Sequence, residues 1–370
     1  MREIVERTGC RPGNVVGVDD IELRPASTDD IEPIAALVRR AEAHDGIPRV
    51  LATEELREDL CAAHVDLAAD TLVAVRDGEL AGWAFVWNPP AEHRLDRAEL
   101  IGEVAPEHRR RGVGPALLDW SLARARERLC GRTHALPRFI RVNAFDWLDD
   151  RAHLYRRSGF HAVRWHDELI RSLDDLPSVA VPAGVRLLPW PDDRDEEIRA
   201  VRNAAFADHW GSTVIGPDQW HGFAYGHGAR PDLSVVAVDD DTGALIGMCA
   251  NHAYPEDEAV TGRRDAWIAN IGTVRAARGR GVASAMLAWS MTAFAEAGFS
   301  HARLDVDTEN PTGAARLYRN LGFEPLHRSI TYEIEVSCDE RSPTVSERWD
   351  VEIEGSQDQA DPADRAGGEG

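Results

Sequence analysis

The chain has 370 residues and a formal net charge of −22, and 43% of its residues are hydrophobic. Its length suits two domains of ordinary size better than one. No apolar run approaches the roughly 18 residues of a membrane helix, and the first ten residues lack the apolar segment of a secretory signal. The negative charge disfavours nucleic acid and membrane surfaces as partners, and it would attract a cationic substrate such as an amine. We expect a cytoplasmic protein.

The cysteines and histidines indicate no metal site. An odd number of cysteines without a Cys-x-x-Cys pair argues against both a disulfide framework and bound zinc. The histidines are scattered, with no pair at metal-ligand spacing. We therefore expect free thiols at all five cysteines, which are Cys10, Cys61, Cys130, Cys249 and Cys338.

The first half of the chain alternates strand patterns with amphipathic helix patterns. Ser27 and Asp30 belong to a cluster that predicts a helix N-cap, and Asp77-Gly78 predicts a hairpin turn. In chain order, the predicted strands cover 21–24, 71–75, 80–87, 100–104 and 139–142. The predicted helices start near 31 and 113, and a third ends near 155.

The second half repeats this order of elements. Its predicted strands cover 235–238, 244–250, 267–273 and 302–306, and its predicted helices start near 282 and span 311–321. Early hairpins followed by single crossovers predict an α/β fold with a mixed sheet.

An internal repeat accounts for this similarity. Arg109-Arg-Arg-Gly112-Val-Gly114 is matched by Arg278-Gly-Arg-Gly281-Val-Ala283, at an offset of 169 residues. Leu154-Tyr155-x3-Gly159-Phe160 is matched by Leu317-Tyr318-x3-Gly322-Phe323, at an offset of 163 residues. Because the period is far longer than a solenoid repeat, each copy is a whole domain.

The repeat divides the chain into two copies and three other segments. The first copy covers 21–173 and the second covers 185–336, with a Pro/Gly-containing linker at 174–184. Residues 1–20 form an N-terminal extension. The acidic segment 337–370 has few apolar residues, so we expect it to be disordered.

Each Arg/Gly segment is suited to binding an anion. Glycines let the backbone approach a phosphate closely, and the N-terminus of the following helix presents free N–H groups. Arginines add charge-assisted hydrogen bonds. The spacing is neither that of a Walker A loop nor that of the dinucleotide fingerprint.

The two loops, together with the Leu-Tyr-x3-Gly-Phe segments, resemble the GNAT (Gcn5-related N-acetyltransferase) superfamily. Its loop, [QR]-x-x-G-x-[GA], binds the pyrophosphate of acetyl-CoA. The segment from Asn310 to Tyr318 also resembles a family motif, although it has one extra residue; the first copy departs from it, with Trp147 at the position of Asn310. The two-copy plan is similar to that of mycothiol synthase-like proteins.

The resemblance implies an acetyl-CoA site in each copy, without a metal. In the first copy the implied cofactor-binding residues are Val104, Arg109, Arg110, Arg111, Gly112, Val113 and Gly114. In the second copy they are Ile271, Gly272, Thr273, Val274, Arg278, Gly279, Arg280, Gly281, Val282, Ala283, Ser284 and Asn310.

The resemblance also implies a catalytic acid and base. Tyr318 and Tyr155 match the family's position for the acid that protonates the departing thiolate, and the alternative role for both is packing. Candidate bases are Glu103, at the end of a strand, and Asp307. Asp305 and Asp307 alternate onto one face, for which a solvated surface is the simpler explanation.

The implied activity is direct transfer of an acetyl group from acetyl-CoA to the primary amine of a small molecule. A protein or peptide N-acetyltransferase and a non-catalytic acyl-CoA sensor are the alternatives. We favour the second copy as the catalytic one because it keeps the fuller motif. Aromatic residues between His209 and Tyr225 would line the amine pocket or pack as a cluster. Either a monomer or a homodimer is compatible with the sequence.

Overall fold

The computed structural model describes residues 21–90, 94–310 and 313–338. The predicted N-terminal extension and nearly all of the predicted acidic tail lie outside the described residues. Within the described ranges, no helix has the length and apolar character needed to cross a membrane.

The described residues form one mixed sheet of twelve strands with helices on its faces. The strands from the first copy are β1 (Glu22–Arg24), β2 (Thr71–Arg76), β3 (Glu79–Trp87), β4 (Asp96–Val104), β5 (Arg138–Phe145) and β6 (His161–Ser172). Those from the second copy are β7 (Val185–Pro189), β8 (Val235–Asp239), β9 (Leu245–Ala253), β10 (Asp265–Thr273), β11 (His301–Asp307) and β12 (Glu324–Glu335).

The helices follow the repeat as well. Those of the first copy are α1 (Ile31–Asp45), α2 (Thr53–Leu60), α3 (Leu67–Asp70), α4 (Val113–Cys130) and α5 (Asp149–Arg157). Those of the second copy are α6 (Asp195–Ala205), α7 (Pro217–Tyr225), α8 (Glu258–Thr261), α9 (Val282–Glu296) and α10 (Ala314–Asn320). The predicted helix at 311–321 thus begins at Ala314, while 311–312 lie outside the described residues.

The two copies exchange their last strands. The strand order is β1-β2-β3-β4-β5-β12-β6-β11-β10-β9-β8-β7. β12 of the second copy pairs with β5 of the first, and β6 of the first copy pairs with β11 of the second. The predicted boundaries follow the repeat in sequence, whereas in space each copy is completed by a strand of the other.

Local chemistry explains several element ends. Asp77 and Gly78 both have positive φ, 53° and 81°, as a two-residue hairpin turn requires. Ser27 and Asp30 form a capping box before α1, and Gly46 ends that helix in the left-handed conformation. The Asp77-Gly78 turn and the helix cap at Ser27 and Asp30 therefore lie where the sequence predicts them.

The apolar core lies mainly beneath the helices that follow the Arg/Gly loops. In the second copy, buried residues of β11, α9 and α10 form one cluster, including Leu304, Met286 and Tyr318. In the first copy, α4 packs on β5 through Leu122 and Ile140. Each loop is thus anchored on both sides by buried structure, which fixes the start of the helix that follows it.

The expectation that all cysteines are free is wrong for one pair. Cys130, at the end of α4, forms a disulfide with Cys338, 208 residues later. The exchanged strand β12 brings the second copy's end beside α4, a proximity that sequence spacing does not reveal. Cys61 is exposed and Cys249 is buried, both as free thiols.

Candidate active site

The two Arg/Gly loops have the same backbone conformation. Arg110 and Gly279, at the second loop position, have φ of 61° and 74°. Gly112 and Gly281, at the fourth position, have φ of 82° and 85° and form the N-caps of α4 and α9. Among the described residues, no N-cap side chain bonds to either helix, so the first N–H groups of each are available to an anion.

The first arginine of each loop contacts the end of the preceding strand. Arg109 Nε donates to the carbonyl of Val104 at 3.1 Å, and Arg278 Nε donates to that of Thr273 at 3.4 Å. Arg278 Nη2 also donates to the carbonyl of Ala205 at 2.9 Å. These contacts hold each loop to the backbone around it. The role of the two arginines as phosphate ligands stays a prediction.

The other loop arginines lie at the surface. Arg110 pairs with Asp150 at 3.2 Å, with both side chains mostly exposed, and Arg280 approaches Asp239 at 3.8 Å. Arg111 is also exposed. Such side chains can turn toward a phosphate at little cost, since exposed ion pairs contribute little free energy.

Each loop lines a cavity. Cavity 1, in the first copy, has a volume of about 920 Å³, and cavity 2, in the second copy, about 390 Å³. The predicted cofactor residues in the wall of cavity 1 are Val104, Arg109, Arg110, Gly112 and Gly114. Those in the wall of cavity 2 are Ile271, Gly272, Thr273, Arg278, Gly279, Gly281, Val282, Ala283, Ser284 and Asn310. Val113 and Val274 pack in the core.

In each copy the sheet opens beside the loop. β4 pairs with β5 only over Asp96–Glu99, and β10 pairs with β11 only over Asp265–Trp267. The later backbone groups of β4 and β10 therefore face a gap on that side. Such groups are suitable hydrogen-bond donors for an oxyanion.

Among the strand pairs that the structure describes for β4 and β10, only those of β10 contain a β-bulge beside the gap. The register with β9 shifts between Ile268 and Asn270, whereas the β3–β4 ladder continues unbroken from Gly82/Val104 to Trp87/Glu99. A bulge changes the direction of the strand and of its polar groups and occurs often beside active sites. The second copy therefore has a feature of a reactive centre that the described part of the first lacks.

A network of four charged side chains occupies the strand end in the first copy. Arg109 contacts Asp45 at 2.5 and 3.0 Å. Arg151 pairs with Asp45 at 3.0 Å and also with Glu103. Burial raises the pKa of Glu103, while Arg151 opposes this shift. The two cations near Glu103, Arg109 and Arg151, both pair with Asp45 as well. These ion pairs hold Glu103 in the wall of cavity 1.

The second copy has glycine, Gly272, at the position aligned with Glu103. A Cβ added there would lie 2.7 Å from the Ala205 side chain and 3.0 Å from that of Phe206, so close packing of α6 requires glycine. Nearby, Asn270 Oδ1 and Thr273 Oγ1 are buried without a hydrogen-bond partner among the described residues. Unpaired buried polar atoms are costly, and a ligand in cavity 2 would satisfy them.

The two tyrosines occupy equivalent places. Tyr318 lines cavity 2 and packs against Phe323, with ring centroids 6.0 Å apart. Tyr155 lines cavity 1 and packs against Phe160 at 5.9 Å. Burial raises the pKa of both phenols, so both stay protonated at neutral pH. The geometry is compatible with both roles that the sequence left open, packing and proton donation.

The expectation of a solvated face at Asp305 and Asp307 is wrong for Asp307. This residue is 3% exposed, and Arg164 donates to its carboxylate at 3.2 Å. Arg164 lies on β6 of the first copy, which the strand exchange places beside β11. Asp305 is exposed toward cavity 2. Sequence reasoning missed Arg164 because its partner lies 143 residues away in the other copy.

The aromatic residues between His209 and Tyr225 form two groups, of which one packs in the core and the other borders cavity 2. Trp220 is fully buried against Trp190, with ring centroids 6.0 Å apart. Trp210 lies between the guanidinium groups of Arg141 and Arg164, at 4.1 and 5.0 Å from its ring centroid. Its neighbour His209 lines cavity 2. First-copy arginines therefore hold the loop that borders the second copy's cavity.

Comparisons with known proteins agree with this geometry. The Acetyltransferase (GNAT) domain model matches residues 68–162, and the Acetyltransferase (GNAT) family model matches residues 196–323. The mycothiol acetyltransferase of Mycolicibacterium vanbaalenii is 30% identical over 278 residues, covering 71% of this chain and 82% of that protein. The chain belongs to the GNAT acetyltransferase family, with two copies of its domain.

Solved structures give the same architecture. A GCN5-related N-acetyltransferase from Sphaerobacter thermophilus has a TM-score of 0.67 and 25% identity, over 86% of this chain and 96% of that one. A tandem GNAT protein from the clavulanic acid biosynthesis pathway has a TM-score of 0.65 and 21% identity, over 87% and 100% of the two chains. The predicted α/β mixed-sheet fold and tandem organisation are therefore confirmed.

The described residues contain no group of three or more His, Cys, Asp or Glu side chains that could hold a metal ion. That the activity needs no metal stays a prediction.

Proposed function

We propose that the protein transfers an acetyl group from acetyl-CoA directly to the primary amine of a small molecule, and that cavity 2 is the catalytic site. The observation that carries the proposal is the second Arg/Gly loop, whose left-handed Gly279 and Gly281 open α9 beside a cavity lined by Tyr318. In this arrangement the uncapped end of α9 binds the diphosphate of the cofactor.

The strand end supports cavity 2 over the larger cavity 1. In cavity 2 the strand β10 has a bulge, which leaves room for an acyl thioester. The side-chain oxygens of Asn270 and Thr273, which lack partners among the described residues, are polar groups that such a thioester could contact. In cavity 1 the ion-pair network of Glu103, Asp45, Arg109 and Arg151 occupies the equivalent place. Cavity 1 binds acetyl-CoA through its loop and performs no transfer.

Tyr318 is the proposed acid. Its raised pKa keeps the phenol protonated until the thiolate of CoA leaves, and a thiolate of pKa about 8.5 can accept a proton from a positioned donor. Backbone N–H groups of β10 that face the gap stabilise the oxyanion.

A small-molecule acceptor is favoured by the relatives, which are named mycothiol acetyltransferases. The exchange of strands also places Arg164 of the first copy beside the wall of cavity 2, where it pairs with Asp307.

The test is thiol release from acetyl-CoA across a panel of amino sugars, cysteinyl amines, polyamines and peptides, with identification of the acetylated product. We expect amine-dependent thiol release with one class of small amine. Release only with peptides would favour a peptide acetyltransferase. Saturable CoA binding without thiol release for any amine would favour a sensor and contradict the proposal.

A further inference from the structure

The register of β11 separates two sets of side chains on opposite faces of the sheet. Ala302, Leu304 and Val306 belong to the core that also contains Tyr318. Strand alternation therefore places Asp305 on the opposite face, together with Arg303 and Asp307. Beyond Trp267, the gap between β10 and β11 opens the sheet from one face to the other. Tyr318 and Asp305 therefore lie on opposite sides of a thioester bound in this gap.

The charged neighbours of Asp305 are already paired. Arg303 is buried, donates to Glu168 at 2.9 Å and lies 3.3 Å from Asp265. Asp307 is neutralised by Arg164, as described above. The Asp305 carboxylate has no ion pair or hydrogen bond in the part of the chain that the structure describes, and it lines cavity 2.

Given the proposed acetyl transfer, on which this inference rests, we propose that the Asp305 carboxylate is the general base. It takes one proton from the acceptor's ammonium group at the face opposite Tyr318.

The reaction conserves protons and electrons. The neutral nitrogen attacks the thioester carbon and forms the C–N bond, and collapse of the tetrahedral intermediate breaks the C–S bond. Tyr318 protonates the departing thiolate, and the second nitrogen proton passes through solvent to the tyrosinate. The proton on Asp305 returns to solvent, so one proton is released for each amide formed.

The electrostatic surroundings suit this role. The protein around the cleft and the like charge of Glu168 raise the pKa of Asp305 to about 7, while Arg303 opposes the shift. Also facing this region are Asp307 on β11, His166 on β6, Asn270 on β10 and His209 on the loop after α6. A base with a pKa near the working pH is the most effective.

The sign of the pH dependence follows from the active form, which is the carboxylate. We expect kcat/KM to be full above about pH 7 and to fall as the pH drops through the pKa of Asp305. An acceptor that is itself ionised adds a second dependence. A β,β,β-trifluorinated analogue of the accepted amine is already neutral at this pH, so it presents no ammonium proton to Asp305, and with it the acid limb should be nearly absent.

The experiment compares Asp305→Asn with the wild type for the ordinary amine and for its β,β,β-trifluorinated analogue. For the ordinary amine we expect a loss in kcat of about 100-fold or more. The acid limb should disappear with it. For the neutral analogue we expect a loss below about tenfold, with unchanged acetyl-CoA affinity. Asp305→Glu should restore part of the rate and the acid limb.

Asp241→Asn, in the exposed turn between β8 and β9, is the matched control and should behave as the wild type. Equal losses for both amines, or full activity of Asp305→Asn, would overturn the assignment while leaving the transferase proposal intact. A wild-type enzyme that releases no thiol with any amine would overturn both.

Discussion

The two cavities share a cofactor loop and differ at the strand beside it. Both loops place left-handed residues at positions two and four and open an uncapped helix. The first copy then fills its strand end with charged pairs, including Glu103 with Arg151, whereas the second has Gly272 and a bulge. The loop therefore indicates where a cofactor binds, and the strand end indicates whether a reaction can follow.

The largest expected effect comes from the equivalent tyrosines. Tyr318→Phe should lower kcat about 100-fold or more, because the thiolate then leaves without a positioned proton donor. Acetyl-CoA affinity should change little, since the ring and its packing are kept. Steady-state kinetics with titration calorimetry would measure both.

Tyr155→Phe is the matched variant in the first copy, and we expect less than about a threefold change in kcat, because no proton is transferred there in the proposed reaction. A large loss with Tyr155→Phe and none with Tyr318→Phe would reverse the assignment of the two cavities.

The charged network of the first copy should contribute to the free energy of unfolding. Removing Arg151 leaves Glu103 and Asp45, which are 11% and 8% exposed, without one of their cations. Arg151→Met should lower the free energy of unfolding by about 3 kcal/mol, measured by urea denaturation. Arg110→Met, which removes an exposed pair with Asp150, should cost less than about 1 kcal/mol. Similar values for both variants would show that the network does not stabilise the fold.

The smallest expected effect is on acetyl-CoA binding, and the number of molecules bound per chain distinguishes the two loops. A side chain at Gly281, where φ is 85°, imposes about 1–3 kcal/mol of backbone strain. Gly281→Val should weaken acetyl-CoA binding to cavity 2 by roughly five- to 150-fold and lower turnover at limiting cofactor.

Gly112→Val should weaken the other site and spare turnover. Calorimetry should find two binding sites in the wild type and one strong site in each variant. Loss of turnover with Gly112→Val would place the reaction in the first copy.

Much of the fold follows from sequence because its determinants are local. The Asp77-Gly78 turn, the capping box at Ser27 and the two loops each depend on a few adjacent residues, and the structure has them as predicted. The tyrosines and the loops also line common cavities, as the repeat suggested.

The remaining features depend on long-range pairing. β6 and β12 have similar patterns, and nothing in either strand specifies which copy it should join. The Cys130–Cys338 disulfide and the Arg164–Asp307 pair both result from that exchange. They could not be derived from spacing, because the contacting residues lie in different copies.

The exchange of β6 and β12 gives the sheet an approximate two-fold axis between these strands. An ancestral chain with a single copy could have formed the same arrangement as a homodimer whose protomers exchanged their last strands. Fusion of the two genes would then have allowed one half to lose chemistry while keeping its structural role. Cutting the present chain within 174–184 should therefore yield two fragments that fold properly only when they are mixed.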